Sequence, residues 1–336
     1  MPASERMIIT QTPLRISFVG GGTDFPAFYR TNGGGAVIST AINKYVYVVA
    51  KARFDDMIRV SYSMTEQVDH LDELKHELIR EAMRKVGVKR GIEIVTLADV
   101  PSTGSGLGSS SSVTVGVLNA LYAYIGESKP PEILAREACE IEIDTLGKPM
   151  GKQDQYIAAF GGFQRLDFLP NERVLVRSLN LTPAAARHLK ANLMLLYTGM
   201  ARQASDILSE QQRHTADNHG TLTNMMRQVD TLTGHIQNGS VEKLGSILHE
   251  GWRFKQQLAT QISNDAINRM YERALAAGAT GGKIVGAGGG GFLLLYCPQS
   301  QRQQVLQALS DLRELPFSFE QEGSKVIVRL ANKSGT

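Results

Sequence analysis

Apolar positions along the chain follow two periods, and the points where one gives way to the other mark out its elements. Residues 8–19 and 36–52 are apolar in runs or at every second position, which predicts strands. The first is expected as one or two strands around Pro13 and the second as a strand pair, with short strands at 59–62 and 92–97. Leu71, Leu74, Leu78 and Met83 return at helical spacing, so 69–86 is expected as an amphipathic helix. Val113, Val117, Leu118 and Leu121 carry a helix that begins among the serines 109–112. Another is expected over 130–146, opened by proline and closed by Gly147.

In the second half, NLMLLYTG reads as a buried strand opening a new domain, and a helix follows within TGMARQASDIL. Three long helical segments are expected near 217–237, 240–259 and 264–277. KIVGAGGGGFLLLY predicts two strands around a glycine turn; a helix at 299–312 and a strand at 325–330 would complete a βαβ-like or split sheet. Strands and helices in mixed order point to an α+β architecture, divided into domains 1–188 and 189–336. The 336 residues suit two such domains better than one core.

Three polar, glycine-rich stretches interrupt this pattern. PSTGSGLGSSSS, at 101–112, leads into a helix, so free N–H groups and a positive dipole end converge there, which suits a phosphate chain. Its tight apolar flanks, IEIVTLADV and VTVGVL, argue against a flexible linker. The loop lacks the lysine of a GxxxxGK[ST] phosphate loop, which excludes an ordinary P-loop ATPase. GGGTDF, at 20–25, ends the first strand and puts Asp24 beside close-approaching backbone; a helix cap is the plainer reading of that acid. Asp154, in GKPMGKQDQ, reads equally as an N-cap or a functional acid, and the acids of the preceding helix, Glu142 among them, as a solvated face. Gly286, Gly288 and Gly291 satisfy GxGxxG, but a strand follows them where a dinucleotide site needs a helix.

Composition narrows the classes. A net charge of +3 with no basic run gives no reason to expect a nucleic-acid partner. Cys139 and Cys297 make neither a disulfide framework nor a metal spacing, which favours a reducing, cytoplasmic setting. The longest apolar runs are strand-sized, so no membrane association is expected.

TPLRISFVGGGTD, PSTGSGLGSSSS and KIVGAGGGGF, in this order, resemble the three motifs of the GHMP small-molecule kinases, a superfamily that includes galactokinase and mevalonate kinase. Where many members carry Gly-Glu-His-Thr-Asp, this chain has Gly21, Gly22, Thr23 and Asp24, as in the heptose 7-phosphate and fucose kinase branches. The resemblance implies a ribosomal-protein-like N-terminal domain, a ferredoxin-like C-terminal domain and an active site between them. It implies ATP and Mg²⁺ as cofactors and transfer to the anomeric hydroxyl of a sugar phosphate, a heptose 7-phosphate before others. A fucokinase-like kinase of a free sugar and a non-catalytic sugar- and ATP-binding regulator are the alternatives, and a homodimer stays open.

By the same resemblance, Pro101, Gly104, Ser105, Gly106, Leu107, Gly108, Ser109, Ser110 and Ser111 hold ATP, and Ser110 and Glu142 hold the metal. Asp154 accepts or orients the sugar hydroxyl, with Arg15 beside it. Gly21, Gly22, Thr23, Asp24, Lys152, Arg202, Gly288 and Gly289 are expected around the substrate. Arg30, Lys44, Lys152 and Arg202 are the cations considered for an acceptor phosphate.

Overall fold

A computed structural model describes residues 6–101, 104–200 and 203–331. Its strands, in chain order, are β1 (Arg6–Val19), β2 (Gly35–Ala52), β3 (Ile58–Ser61), β4 (Thr65–Val68), β5 (Ile92–Ala98), β6 (Phe163–Phe168), β7 (Val174–Ser178), β8 (Leu193–Tyr197), β9 (Gly281–Ile284), β10 (Phe292–Tyr296), β11 (Arg313–Glu314) and β12 (Lys325–Ala331). They form two sheets, one ordered β12-β1-β2-β5-β3-β4 with β6 and β7 beside the first half of β2, the other β11-β8-β10-β9. The second sheet is antiparallel and built from a β-helices-β-β-helix-β succession, which is the ferredoxin-like arrangement.

The long apolar runs behave differently from expectation, for a reason visible in their pairing. β1 passes through Pro13 unbroken, and the register against β2 shifts between Pro13 and Leu14, so the missing N–H falls at an irregularity. β2 is one strand, not a hairpin. Gly35–Thr40 pair with β6 and Val46–Ala52 with β5, so both halves find neighbours without a turn between them.

The helices are α1 (Pro26–Tyr29), α2 (Glu77–Val86), α3 (Ser109–Tyr124), α4 (Pro131–Cys139), α5 (Gln153–Phe160), α6 (Pro183–Asn192), α7 (Ala204–Arg213), α8 (His219–Gln237), α9 (Leu244–Lys255), α10 (Asp265–Ala276) and α11 (Arg302–Ala308). The helix expected over 69–86 is cut to α2, with only a 3₁₀ turn at Leu71–Glu73 before it. Glu66 takes the amide protons of Lys75 and His76, and the His76 ring accepts from Ile79, which fixes the start of α2 there. α4 continues as a π-helical turn, Glu140–Thr145, which carries Glu142. α3 lies on β1 and β2 at glycine distance: a Cβ on Gly116 would stand 2.8 Å from Thr12 Oγ1.

The last strand corrects the expected C-terminal sheet. β12 does not join β8–β11 but pairs antiparallel with β1, covering an edge of the first sheet. The chain therefore returns across the division expected at 188/189. No helix among the described residues is long and apolar enough to cross a membrane.

Candidate active site

Where the two sheets meet, a cavity of about 510 Å³ is walled by β1, the turn after it, the glycine loop, the segment 148–154, α7, α9 and β9. The loop is shaped by three left-handed glycines, Gly104, Gly106 and Gly108, with φ of 72°, 73° and 78°. Gly108 precedes α3, and no side chain caps that helix, so its first-turn N–H groups are left to the cavity side. The second glycine turn supports the loop from behind. A Cβ on Gly106 would stand 2.5 Å from the Val285 carbonyl oxygen, and one on Gly291 2.6 Å from those of Gly104 and Ser105.

Asp154 sits in the first turn of α5 but does not cap it. Arg15 donates to both carboxylate oxygens, Nε to Oδ1 at 2.7 Å and Nη2 to Oδ2 at 2.6 Å, and its Nη1 donates to the Gly106 carbonyl at 2.6 Å. Both side chains are largely enclosed, 6% and 14% exposed. One guanidinium thus fixes an acid against the nucleotide-type loop, a bidentate geometry that lysine cannot supply.

Asp24 is not a helix cap either. Its Oδ1 accepts from the Gly22 amide at 2.9 Å and its Oδ2 from the Gln153 side chain at 3.0 Å. Burial pushes its carboxyl above the usual range, and the nearby Asp154 charge adds to that. Gly151 is required beside it, because a Cβ there would stand 2.0 Å from Asp24 Oδ2. Two acids and one arginine therefore face the same end of the cavity.

Glu142 is fully buried, not on a solvated face. Ser110 and Thr114 donate to its Oε1 at 2.6 and 3.1 Å, and Ser111 and the Gln155 amide to its Oε2 at 2.8 and 2.5 Å. Burial raises its pKa, and the serine hydroxyls oppose that. Ser110 lies on the cavity wall with Glu142 directly behind it. A carboxylate and a hydroxyl at the loop's helix suit a hard cation that keeps waters and phosphate oxygens as its other ligands. No cluster of three acids, histidines or cysteines suited to a metal occurs among the described residues.

Of the residues expected around ATP, Gly104, Ser105, Gly106, Gly108, Ser109, Ser110 and Ser111 wall the cavity. Leu107 instead buries its side chain in the core, and Pro101 is exposed away from the cavity wall. Gly21, Gly22 and Asp24 line the cavity. Thr23 does not: its hydroxyl is spent on the Gly20 and Ala36 carbonyls. Gly288 and Gly289 turn toward Ile262, whose carbonyl takes the Gly289 amide proton at 2.8 Å. Lys152 pairs with Glu172, as does Arg30, and both face a separate surface cavity. Lys44 is not on the cavity wall, and Arg202 lies outside the described residues.

Among the polar groups on the wall that sequence reasoning missed are Ser17, Lys148, Lys255 and Lys283. Lys148 pairs with Glu77 at 2.9 Å. Lys255 and Lys283 are both buried, and burial lowers both pKa values, that of Lys255 well below its usual value and that of Lys283 to about 7. Only their places in the pattern could have marked these two lysines. Lys255 follows Leu244, Leu248 and Trp252 on the apolar stripe of α9, and Lys283 opens the glycine motif.

Residues 74–162 match the family model for the GHMP kinases N terminal domain and residues 233–313 that for the GHMP kinases C terminal domain. A curated relative, D-glycero-alpha-D-manno-heptose 7-phosphate kinase of Campylobacter jejuni, is 31% identical over 95% of this chain and 98% of its own. A solved D-glycero-D-manno-heptose 1-phosphate kinase from Bacteroides thetaiotaomicron superposes with a TM-score of 0.79 at 25% identity, over 97% of this chain and 100% of that one. A solved sugar kinase from Campylobacter jejuni gives 0.77 at 30% identity, over 96% and 98%. With both domains matched in order and the relatives aligned from end to end, the chain belongs to the GHMP kinase family of ATP-dependent phosphotransferases.

Proposed function

We propose that this kinase transfers the γ-phosphoryl group of ATP to the anomeric hydroxyl of D-glycero-alpha-D-manno-heptose 7-phosphate, giving the 1,7-bisphosphate and ADP. The product would feed nucleotide-activated heptose for surface polysaccharide. The observation that carries the reading is the Arg15–Asp154 pair, held between the glycine loop and the Asp24 turn. It sits where a triphosphate and a sugar hydroxyl would meet. Substrate identity is taken from the similarity to the heptose 7-phosphate kinase.

Phosphoryl transfer asks mainly for alignment and for cations around the migrating group. The loop amides at 104–110 hold the triphosphate, and Asp24 with the Gly21–Gly22 backbone orients the sugar. Asp154 takes the hydroxyl proton as that oxygen bonds to the γ-phosphorus and the bond to the β-phosphate oxygen breaks. Arg15 holds the Asp154 carboxylate in register and balances charge on the moving group. Ser110 and Glu142 would hold Mg²⁺, which when bound neutralises phosphate charge. The free, buried Cys139 and Cys297 suit a cytoplasmic enzyme.

The fully formed Arg15–Asp154 pair favours catalysis over a regulator that only binds ligands. A coupled ADP-release assay over heptose 7-phosphate, the unphosphorylated heptose and fucose tests the reading. Heptose 7-phosphate should give the highest kcat/KM, and rising salt should raise its KM more than that of the free heptose. A preference for either free sugar would refute the heptose 7-phosphate assignment, and no ADP release with any sugar would refute the kinase reading.

A further inference from the structure

Lys255 and Lys283 come from different elements, α9 and β9, yet both line the cavity, near enough for the Lys283 charge to act on Lys255. Each residue is 6% exposed. Lys283 Nζ donates to the Phe18 carbonyl at 3.0 Å, and Lys255 Nζ to the carbonyls of Ile284, at 3.0 Å, and Gly286. A charged ammonium has three protons to give, so each lysine, when protonated, has a donor left for a ligand in the cavity. Neither is ion-paired with a carboxylate among the described residues; the charges acting on Lys255 are Lys283 and Arg15, and the one acting on Lys283 is Arg15, all positive. Ser17, two residues from Arg15 on β1, also lines this cavity; it is 5% exposed and its Oγ has no hydrogen-bond partner.

Two buried cations without a counter-charge cost folding energy, and a buried unpaired hydroxyl adds to that cost. Such an arrangement is favourable once an anion with several acceptor oxygens enters. Its two lysines come from α9 and β9, whereas the loop and the Ser110–Glu142 pair come from the N-terminal part of the chain. We propose that Lys255, Lys283 and Ser17 form a subsite for a phosphate dianion. The proposal rests on the kinase reading for its ligand: the dianion is either the phosphate that the acceptor already carries or the phosphoryl group being transferred. Binding would return both lysines to full protonation, because an adjacent dianion favours the charged ammonium.

The test uses the full chain without any sugar, so it does not depend on the heptose assignment. Inorganic phosphate and a non-hydrolysable ATP analogue are titrated by calorimetry and thermal melting into wild type, Lys255→Met, Lys283→Met and Ser17→Ala. If the subsite takes the acceptor's phosphate, inorganic phosphate binds on top of the analogue, and each lysine variant loses at least about tenfold in phosphate affinity, the equivalent of about 1.4 kcal/mol. If it takes the transferred group, the analogue excludes phosphate and the same variants lose affinity for the analogue itself. Ser17→Ala, the smallest change, should weaken the same ligand by a few fold and covers the case in which a lysine variant does not fold. Folded variants that bind phosphate and the analogue as wild type does would overturn the proposal.

Discussion

Arg15 clasps the Asp154 carboxylate with two nitrogens, at 2.7 and 2.6 Å, while a third reaches the Gly106 carbonyl. Acid and loop are thereby held at a fixed separation by one side chain. If Asp154 accepts the sugar proton, Asp154→Asn should lower kcat by roughly 10²–10⁴-fold, with little change in KM. The geometry adds a stability effect, because the substitution leaves Arg15 enclosed without its counter-charge. The variant should therefore melt below wild type as well. A helix cap predicts neither effect, since asparagine caps as well as aspartate. Wild-type kcat in a folded Asp154→Asn protein would sink the catalytic role.

Glu142 is surrounded by four donors, so its substitutions separate charge from packing. Glu142→Gln turns an amide NH₂ toward groups that are themselves donors, and should destabilise by about 1–3 kcal/mol. Ser110→Ala removes one of the four donors and should leave the melt nearly unchanged. Both should raise the magnesium concentration needed for half-maximal activity. Unchanged magnesium dependence in both would remove these residues from the metal site.

Gly106→Ala tests the contact between the two glycine turns. The residue has φ of 73°, and its new Cβ would stand 2.5 Å from the Val285 carbonyl oxygen, which is backbone and cannot swing aside. A loss of about 1–3 kcal/mol is expected from overpacking, together with a higher KM for ATP. Gly234→Ala, inside α8 with open space around it, is the control and should be neutral or slightly stabilising. Equal melting and ATP affinity in the two variants would show that the turns do not depend on each other.

The sequence was most legible where chemistry needs a local pattern. The glycine loop, the Asp24 turn and Asp154 could be named because each sits in a short motif whose backbone geometry serves the site. Thr23 sits in the Asp24 turn, and Gly288 and Gly289 in the second glycine turn, yet a motif does not tell which of its groups face inward; theirs go to Gly20, Ala36 and Ile262. Lys255 was hidden because its neighbours on α9 are apolar core, and only long-range packing brings it to Lys283. β12 was read into the wrong sheet for a similar reason. Its period-two pattern specifies a strand but not a partner, and the free edge of β1 lies more than 300 residues away in sequence.

Lys283 gives a stability signature that needs no ligand. It is buried beside Arg15 of β1 and Lys255 of α9, with its pKa lowered to about 7 from a usual value near 10.5. Between those two values the unfolded chain holds a proton on this residue that the folded chain has lost. Stability contributed by this group therefore rises as pH increases from 7 toward 10.5, and is lost as pH falls back through that window. Lys255, also lowered by burial, contributes in the same direction. The protein without ligand should melt higher at pH 9 than at pH 7, and Lys283→Met should reduce the difference. Phosphate should reduce it too, by restoring the proton to both lysines, and should be taken up with protons near neutral pH. Calorimetry in two buffers of different ionisation enthalpy measures that uptake directly. A pH-independent melt from 7 to 9 that Lys283→Met leaves unaltered would show that the ammonium is not desolvated.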